Sequence, residues 1–252
     1  MIKDTKVYKW LDNFWYHHKW YLLIVIFFVV FIIIATVQMF TKKNADAYMI
    51  YTGPHVFSVS EIYEVEYAFE QVMTGDYNND GEKVVSLLDI SLMTEEQVLV
   101  AMAEADEMGY DLSINKNEMI KTEQMFNNQI FAGEAVICML DPHWYEQVKA
   151  AGGFMKLEDI LGYKPESAVD EYGVTLSKTD FGKYFTAFSK FPEDTVLCIR
   201  TVSTTSIFKG VEKEEKRHAF HVEAFKDVMN FKLPEGWVPP TETSAASVVP
   251  EV

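Results

Sequence analysis

Between Lys19 and Lys42 the chain runs for 22 residues, 20–41, without a charged side chain, and the centre of that run reads LLIVIFFVVFIIIATV. About 20 apolar residues in a helix cover the roughly 30 Å of hydrocarbon in a bilayer. Ile and Val are poor helix formers in water. In lipid the backbone must satisfy its own hydrogen bonds, and a helix is the form open to a single span. The run is apolar on every face, which sets it apart from a surface helix of a soluble domain. Trp10, Trp15, Tyr16, Trp20 and Tyr21 gather at or before its start, where amphipathic rings settle at headgroup level. Four Lys precede the run and two follow it. The positive-inside bias then puts the N-terminus in the cytoplasm and the remainder outside. A cleaved signal peptide is the rival, since Ala45-Asp46-Ala47 resembles an A-x-A site. The run is longer than a usual apolar region of a signal peptide, and Lys42 and Lys43 stand before that site, so an uncleaved signal anchor is expected.

Charge divides at the same place. Residues 1–46 hold six Lys against three Asp, +3, while the whole chain of 252 residues carries −16, leaving −19 on the other 206. Arg200 and Arg217 are the two arginines. Nucleic-acid binding needs clustered Lys and Arg and is excluded as a class. A 49% hydrophobic content excludes a disordered chain, and a mean hydropathy near zero excludes a polytopic membrane protein.

Beyond the span the periodicity is that of an α/β domain over residues 47–233. Short apolar runs at 47–52, 83–92, 135–140 and 195–202 predict strands. Helical spacing predicts helices over 58–73, from the Thr94-x-x-Gln97 capping box to Gly109, over 117–131 with Gly133 as the stop, and over 212–231. Asp141-Pro142 reads as an N-cap with Pro at the first helical position, and Gly152-Gly153 as that helix's end. Residues 154–194 are less regular. Residues 234–252 lack periodicity and read as a disordered tail. Strands alternating with helices predict an α/β fold with a mixed, mostly parallel sheet covered by helices, behind a single transmembrane helix.

The segment 126–148, FNNQIFAGEAVICMLDPHWYEQV, resembles a local pattern of bacterial extracytoplasmic solute-binding proteins of the two-lobed type. There a helix ends in an A-G-x-A-like turn, a buried strand follows, then an acidic residue and the next helix. The continuation FMKLEDIL at 154–161, with Tyr172-Gly173-Val174 and Leu176-Ser177, fits the same style. The resemblance implies a periplasmic-binding-protein-like lobe, with capture of a small solute or docking of a membrane partner such as a permease or envelope protein.

In open α/β sheets ligands sit beyond the C-terminal ends of the strands. That places Thr52, Gly53, Pro54 and His55 after the first strand, and Asp141, His143, Trp144 and Tyr145 after the 135–140 strand, as candidate ligand-binding residues. The competing reading has Trp144 and Tyr145 stapling their helix to the sheet. Asp76, Asn78 and Asp80, followed by Gly81, match the first half of a calcium loop, but position twelve is Leu87 rather than an acid. An ordinary Asn/Asp/Gly turn competes with it. His218 and His221, one turn beyond Glu214 and Glu215, share a helix face on which metal binding competes with a solvated charged surface, the favoured reading. Cys138 and Cys198 lie in two apolar strands, as buried thiols or, if those strands are neighbours in register, as a pair whose sulfurs meet. No phosphate loop, G-x-S-x-G or dinucleotide fingerprint is present. A binding domain without catalysis is therefore expected. A structural subunit of an envelope or transporter complex, lacking a ligand of its own, is the alternative, and an extracytoplasmic hydrolase using carboxylates or a metal comes third.

Overall fold

The computed structural model describes residues 6–41, 44–109, 111–202 and 210–238. They fall into two units, one ending at Asn44 and the other beginning at Ala45. The first unit is helix α1 (Lys6–Thr41). At 1.5 Å per residue its 36 residues reach about 54 Å. Its stretch Asn13–Thr36 is the one helix among the described residues long and apolar enough to cross a membrane, and nothing buries it. The span read from charge alone, 20–41, overlaps that stretch but starts later. Trp10 stacks on Phe14 at 5.6 Å and Phe14 lies 5.0 Å from His18, a ladder of the i, i+4 kind along one face.

The second unit is built on five strands, β1 (Ala47–Gly53), β2 (Val85–Ser91), β3 (Ile137–Leu140), β4 (Gly173–Thr175) and β5 (Val196–Ile199), in the order β2-β1-β3-β5-β4. β1 pairs in parallel with β2 and β3, and β5 runs antiparallel to both β3 and β4. The fold is thus α/β with a mostly parallel open sheet, as the strand and helix alternation predicts. β3 and β5 are buried at every residue, which is why they read as unbroken apolar runs rather than alternating ones.

Helices cover both faces. Met49, Tyr51 and Met139 pack with Val65 and Phe69 of α2 (Val59–Val72), Phe181 of α7 (Asp180–Tyr184) and Phe225 of α8 (Val211–Asn230), along with α6 (Leu157–Leu161). Ile50, Cys138, Leu140 and Cys198 pack with Phe126 of α4 (Lys116–Ala132) and Trp144 and Tyr145 of α5 (Pro142–Ala150). Between β2 and α4 lies α3 (Glu95–Glu107). The capping signals are realised. Thr94 and Gln97 form a capping box, Gly133 ends α4 in the left-handed region (φ 71°), and Asp141 caps α5 with Pro142 in its first turn.

Two expectations need correction. β4 stands where only irregular chain is expected, because three residues carry no periodicity. The reading of His218 and His221 as part of a solvated face fails, since both rings are buried. His218 donates from Nε2 to the Arg200 carbonyl (2.6 Å). His221 donates from Nδ1 to the Arg217 carbonyl (2.7 Å) and accepts at Nε2 from the Tyr48 amide (2.9 Å). Both rings therefore serve the backbone, with no nitrogen of His221 left for a metal. The tail opens with a turn, Trp237 N–H to the Pro234 carbonyl at 3.1 Å; residues 239–252 lie outside the described residues. Cys138 and Cys198 sit directly opposite in the β3–β5 register, fully buried and present as thiols.

Candidate groove at the C-terminal edge of the sheet

β1 hands the chain to α2 on one face, while β3, its neighbour, hands it to α5 on the other. The C-terminal ends of β1 and β3 therefore flank a topological switch point, where open α/β sheets leave a crevice. A groove of about 950 Å³ opens there. Pro54 from the end of β1, Leu92–Gln97 from the end of β2, Asp141–Trp144 from the end of β3 and Asp194 from the start of β5 surround it. α3 contributes Val100, Ala101 and Glu104 and α4 contributes Met119 and Glu123.

Two helix N-termini meet at this groove and are tied together. Gln97 closes the α3 capping box through its backbone N–H to Thr94 and its Oε1 from the Thr94 amide (2.8 Å). Its Nε2 donates to Asp141 Oδ2 (2.7 Å). The other oxygen of Asp141 accepts from the His143 amide (2.9 Å) as the α5 cap. One glutamine thus locks the entries of α3 and α5 to each other. Trp144 forms an apolar wall, its indole N–H donating to the Leu92 carbonyl (3.3 Å), with His143 edge-on at 4.7 Å and Phe126 at 5.7 Å.

The groove is acidic. Glu95, Glu96, Glu104, Glu123, Asp141 and Asp194 line it, and no Lys or Arg does. The positive ends of α3 and α5 supply about half a charge each, which offsets about one of the six carboxylates. The remaining field is negative.

The candidate residues read from the strand ends divide four ways. Asp141, His143 and Trp144 line the groove, as does Pro54. Thr52 is fully buried between Ile90 and Leu140 in the sheet register, its hydroxyl without a hydrogen-bond partner. His55 turns to the α2 side, its ring 4.5 Å from Phe57 and its Nε2 4.0 Å from Glu61. Tyr145 lies outside the groove, where its hydroxyl donates to Asp170 (2.6 Å) and its ring stacks on Phe154 at 5.2 Å. Burial and Asp170 both push that phenol's pKa up, so it stays a neutral staple between α5 and the segment before β4. The residues that strand-end reasoning missed come from α3 and α4. The same rule applied to β2 points to Leu92–Gln97; no comparable signal marks Met119 or Glu123.

The loop at 76–81 folds on itself. Asp76 accepts from the amides of Asn79 (2.7 Å) and Gly81 (2.9 Å), Asn78 from Asp80 (2.8 Å), and Asp80 from Glu82 (2.9 Å). Buried Asp46 holds the loop from below, accepting from Tyr77, Asn78 and Val84. Asp76, Asn78 and Asp80 thus support turns, as these residues do where Asn79 sits at φ 58°. Among the described residues no group of three or more His, Cys, Asp or Glu could hold a metal ion.

The chain matches no family model, no curated protein and no solved structure.

Proposed function

We propose that this chain is a membrane-anchored docking module: α1 holds it in the bilayer, its α/β domain stands outside the cytoplasm, and the groove at the sheet's C-terminal edge receives a partner protein at the membrane. The observation that carries the reading is how little of α3 and α4 the domain itself buries. Ala105 is the one buried residue of α3 and Phe126 the one of α4; Val100 stands exposed in the groove, and Leu99, Met102, Ile120 and Met125 stand exposed elsewhere on the same two helices. Apolar side chains gathered on two adjacent helices mark an interaction surface more than a solubilising one.

A mostly parallel sheet with α5 following β3 supports the lobe part of the resemblance to solute-binding proteins. Capture of a solute by that class closes two lobes around it. The described residues of the second unit form one sheet, which favours docking over solute capture. The Lys asymmetry around the span supports the N-in orientation. The test is crosslinking followed by purification of the full chain from solubilised membranes. A fixed partner should co-purify with the native chain and with Glu215→Lys, which alters an exposed charge on α8, and should be lost with Val100→Asp. A partner that survives Val100→Asp, or a thermal shift with a sugar or amino-acid panel and no partner at all, would sink the reading.

A further inference from the structure

We infer that the occupant of the α3–α4 groove is an amphipathic helix carrying Lys or Arg along its polar face. The inference rests on the docking reading and adds the partner's chemistry to it. α3 presents Gln97, Val100, Ala101 and Glu104 to the groove, the i, i+3, i+4, i+7 spacing of one helix face, and α4 adds Met119 and Glu123 at i and i+4. Apolar and acidic side chains therefore alternate along two helix faces that border one trough. A helix laid in such a trough buries its own apolar residues at the same spacing. Methionine, flexible and polarisable, suits a surface that accepts side chains of varied shape.

Charge selects among occupants. Six carboxylates and no Lys or Arg line the groove. An anionic bilayer surface is repelled by such a face. A second copy of this chain docked through a two-fold axis would bring the same acids against each other, at a net charge of −16 per chain. A cationic peptide gains twice, through steering at long range and through apolar burial on contact. A small polyamine satisfies the carboxylates but leaves the groove's own apolar side chains, Val100 and Met119, without an apolar partner.

The experiment uses the full chain in zwitterionic nanodiscs, with empty nanodiscs subtracted. The probe is a fluorescent 18-residue Leu/Lys peptide (about five helical turns) with its lysines on one face and one photo-reactive residue on the apolar face. Comparators are a scrambled peptide of equal composition, a Leu/Glu counterpart and spermine. The Leu/Lys helix should bind, crosslink to α3 or α4, and weaken at least tenfold in Glu104→Lys/Glu123→Lys while Glu215→Lys leaves it unchanged. Circular dichroism of the charge-reversed variant confirms that it is folded. Equal binding of the scrambled peptide, crosslinks elsewhere, or indifference to the charge reversal would overturn the inference. Binding of spermine or of the Leu/Glu helix in place of the Leu/Lys helix would overturn it too, while leaving the docking reading to stand or fall on the co-purification.

Discussion

His221 shows how much a single side chain can carry in this fold. Its ring joins α8 to β1, and burial, reinforced by Arg217 and His218 nearby, pulls its pKa down to about 4. In the unfolded chain the same imidazole titrates near 6.5. The unfolded state therefore takes up a proton that the folded state refuses, and stability falls as pH drops from about 6.5 toward 4, levelling off below. The loss between pH 7 and 5 is about 2 kcal/mol. Urea denaturation at those two values should show it, and His221→Gln, whose amide does not titrate, should flatten the slope. An unchanged slope in the variant would remove His221 from that role. The cysteine pair makes a second prediction at this scale. Cys138 and Cys198 are fully buried, and burial together with the neighbouring Cys138 thiol raises the Cys198 pKa. Few thiolates form, so a maleimide should leave the native chain unlabelled and modify both residues once it is denatured. Labelling of the native chain would contradict their burial.

At the scale of elements, β4 and the β2 edge do their work through residues chosen for fit. Gly173 of β4 lies against Tyr145 and Val196; a Cβ there would meet Val196 Cγ1 at 2.5 Å and the Tyr145 ring at 3.0 Å. Gly173→Ala should cost about 1–3 kcal/mol by overpacking, read as a lowered denaturation midpoint with unchanged slope. The outer edge of β2 is covered from α2, whose Glu70 and Glu66 accept from the amides of Val85 (2.9 Å) and Leu87 (2.8 Å). Open strand edges invite pairing with other chains. Glu66→Ala/Glu70→Ala should therefore aggregate faster than the native chain in light scattering, and equal rates would show that the edge is protected otherwise. These elements also mark what a sequence shows. Caps at Thr94, Gly133 and Asp141 are local, so their residues announce them, and strands buried on both faces announce themselves as apolar runs. β4 is held by distant partners, and the inward turn of His218 and His221 depends on β1 and Arg200 lying behind α8. The groove was legible in the same measure. Strand ends pointed to Asp141, His143 and Trp144, but the share taken by α3 and α4 depends on how two helices pack across a sheet.

For the whole molecule the controlling fact is the separation of charge from grease. The apolar stretch 13–36, the one such stretch among the described residues, is followed by a domain that carries nearly all of the acid. Residues 47–252 carry net −19, and like charges repel within a Debye length of about 8 Å at physiological salt, so an anionic leaflet offers this domain no attraction. The apolar stretch of α1, in contrast, is not buried by any described residue. The full chain should thus sediment with membranes and resist extraction by alkaline carbonate, whereas loosely attached proteins are stripped by that treatment. Protease added to intact cells should then digest the acidic domain and spare α1, because the lysines on the N-terminal side of the span favour the cytoplasm. Release by carbonate would remove the bilayer from this account altogether. Protection of the domain until the cells are opened would leave the anchor but reverse its orientation, and the partner of the groove would then have to be sought inside the cell.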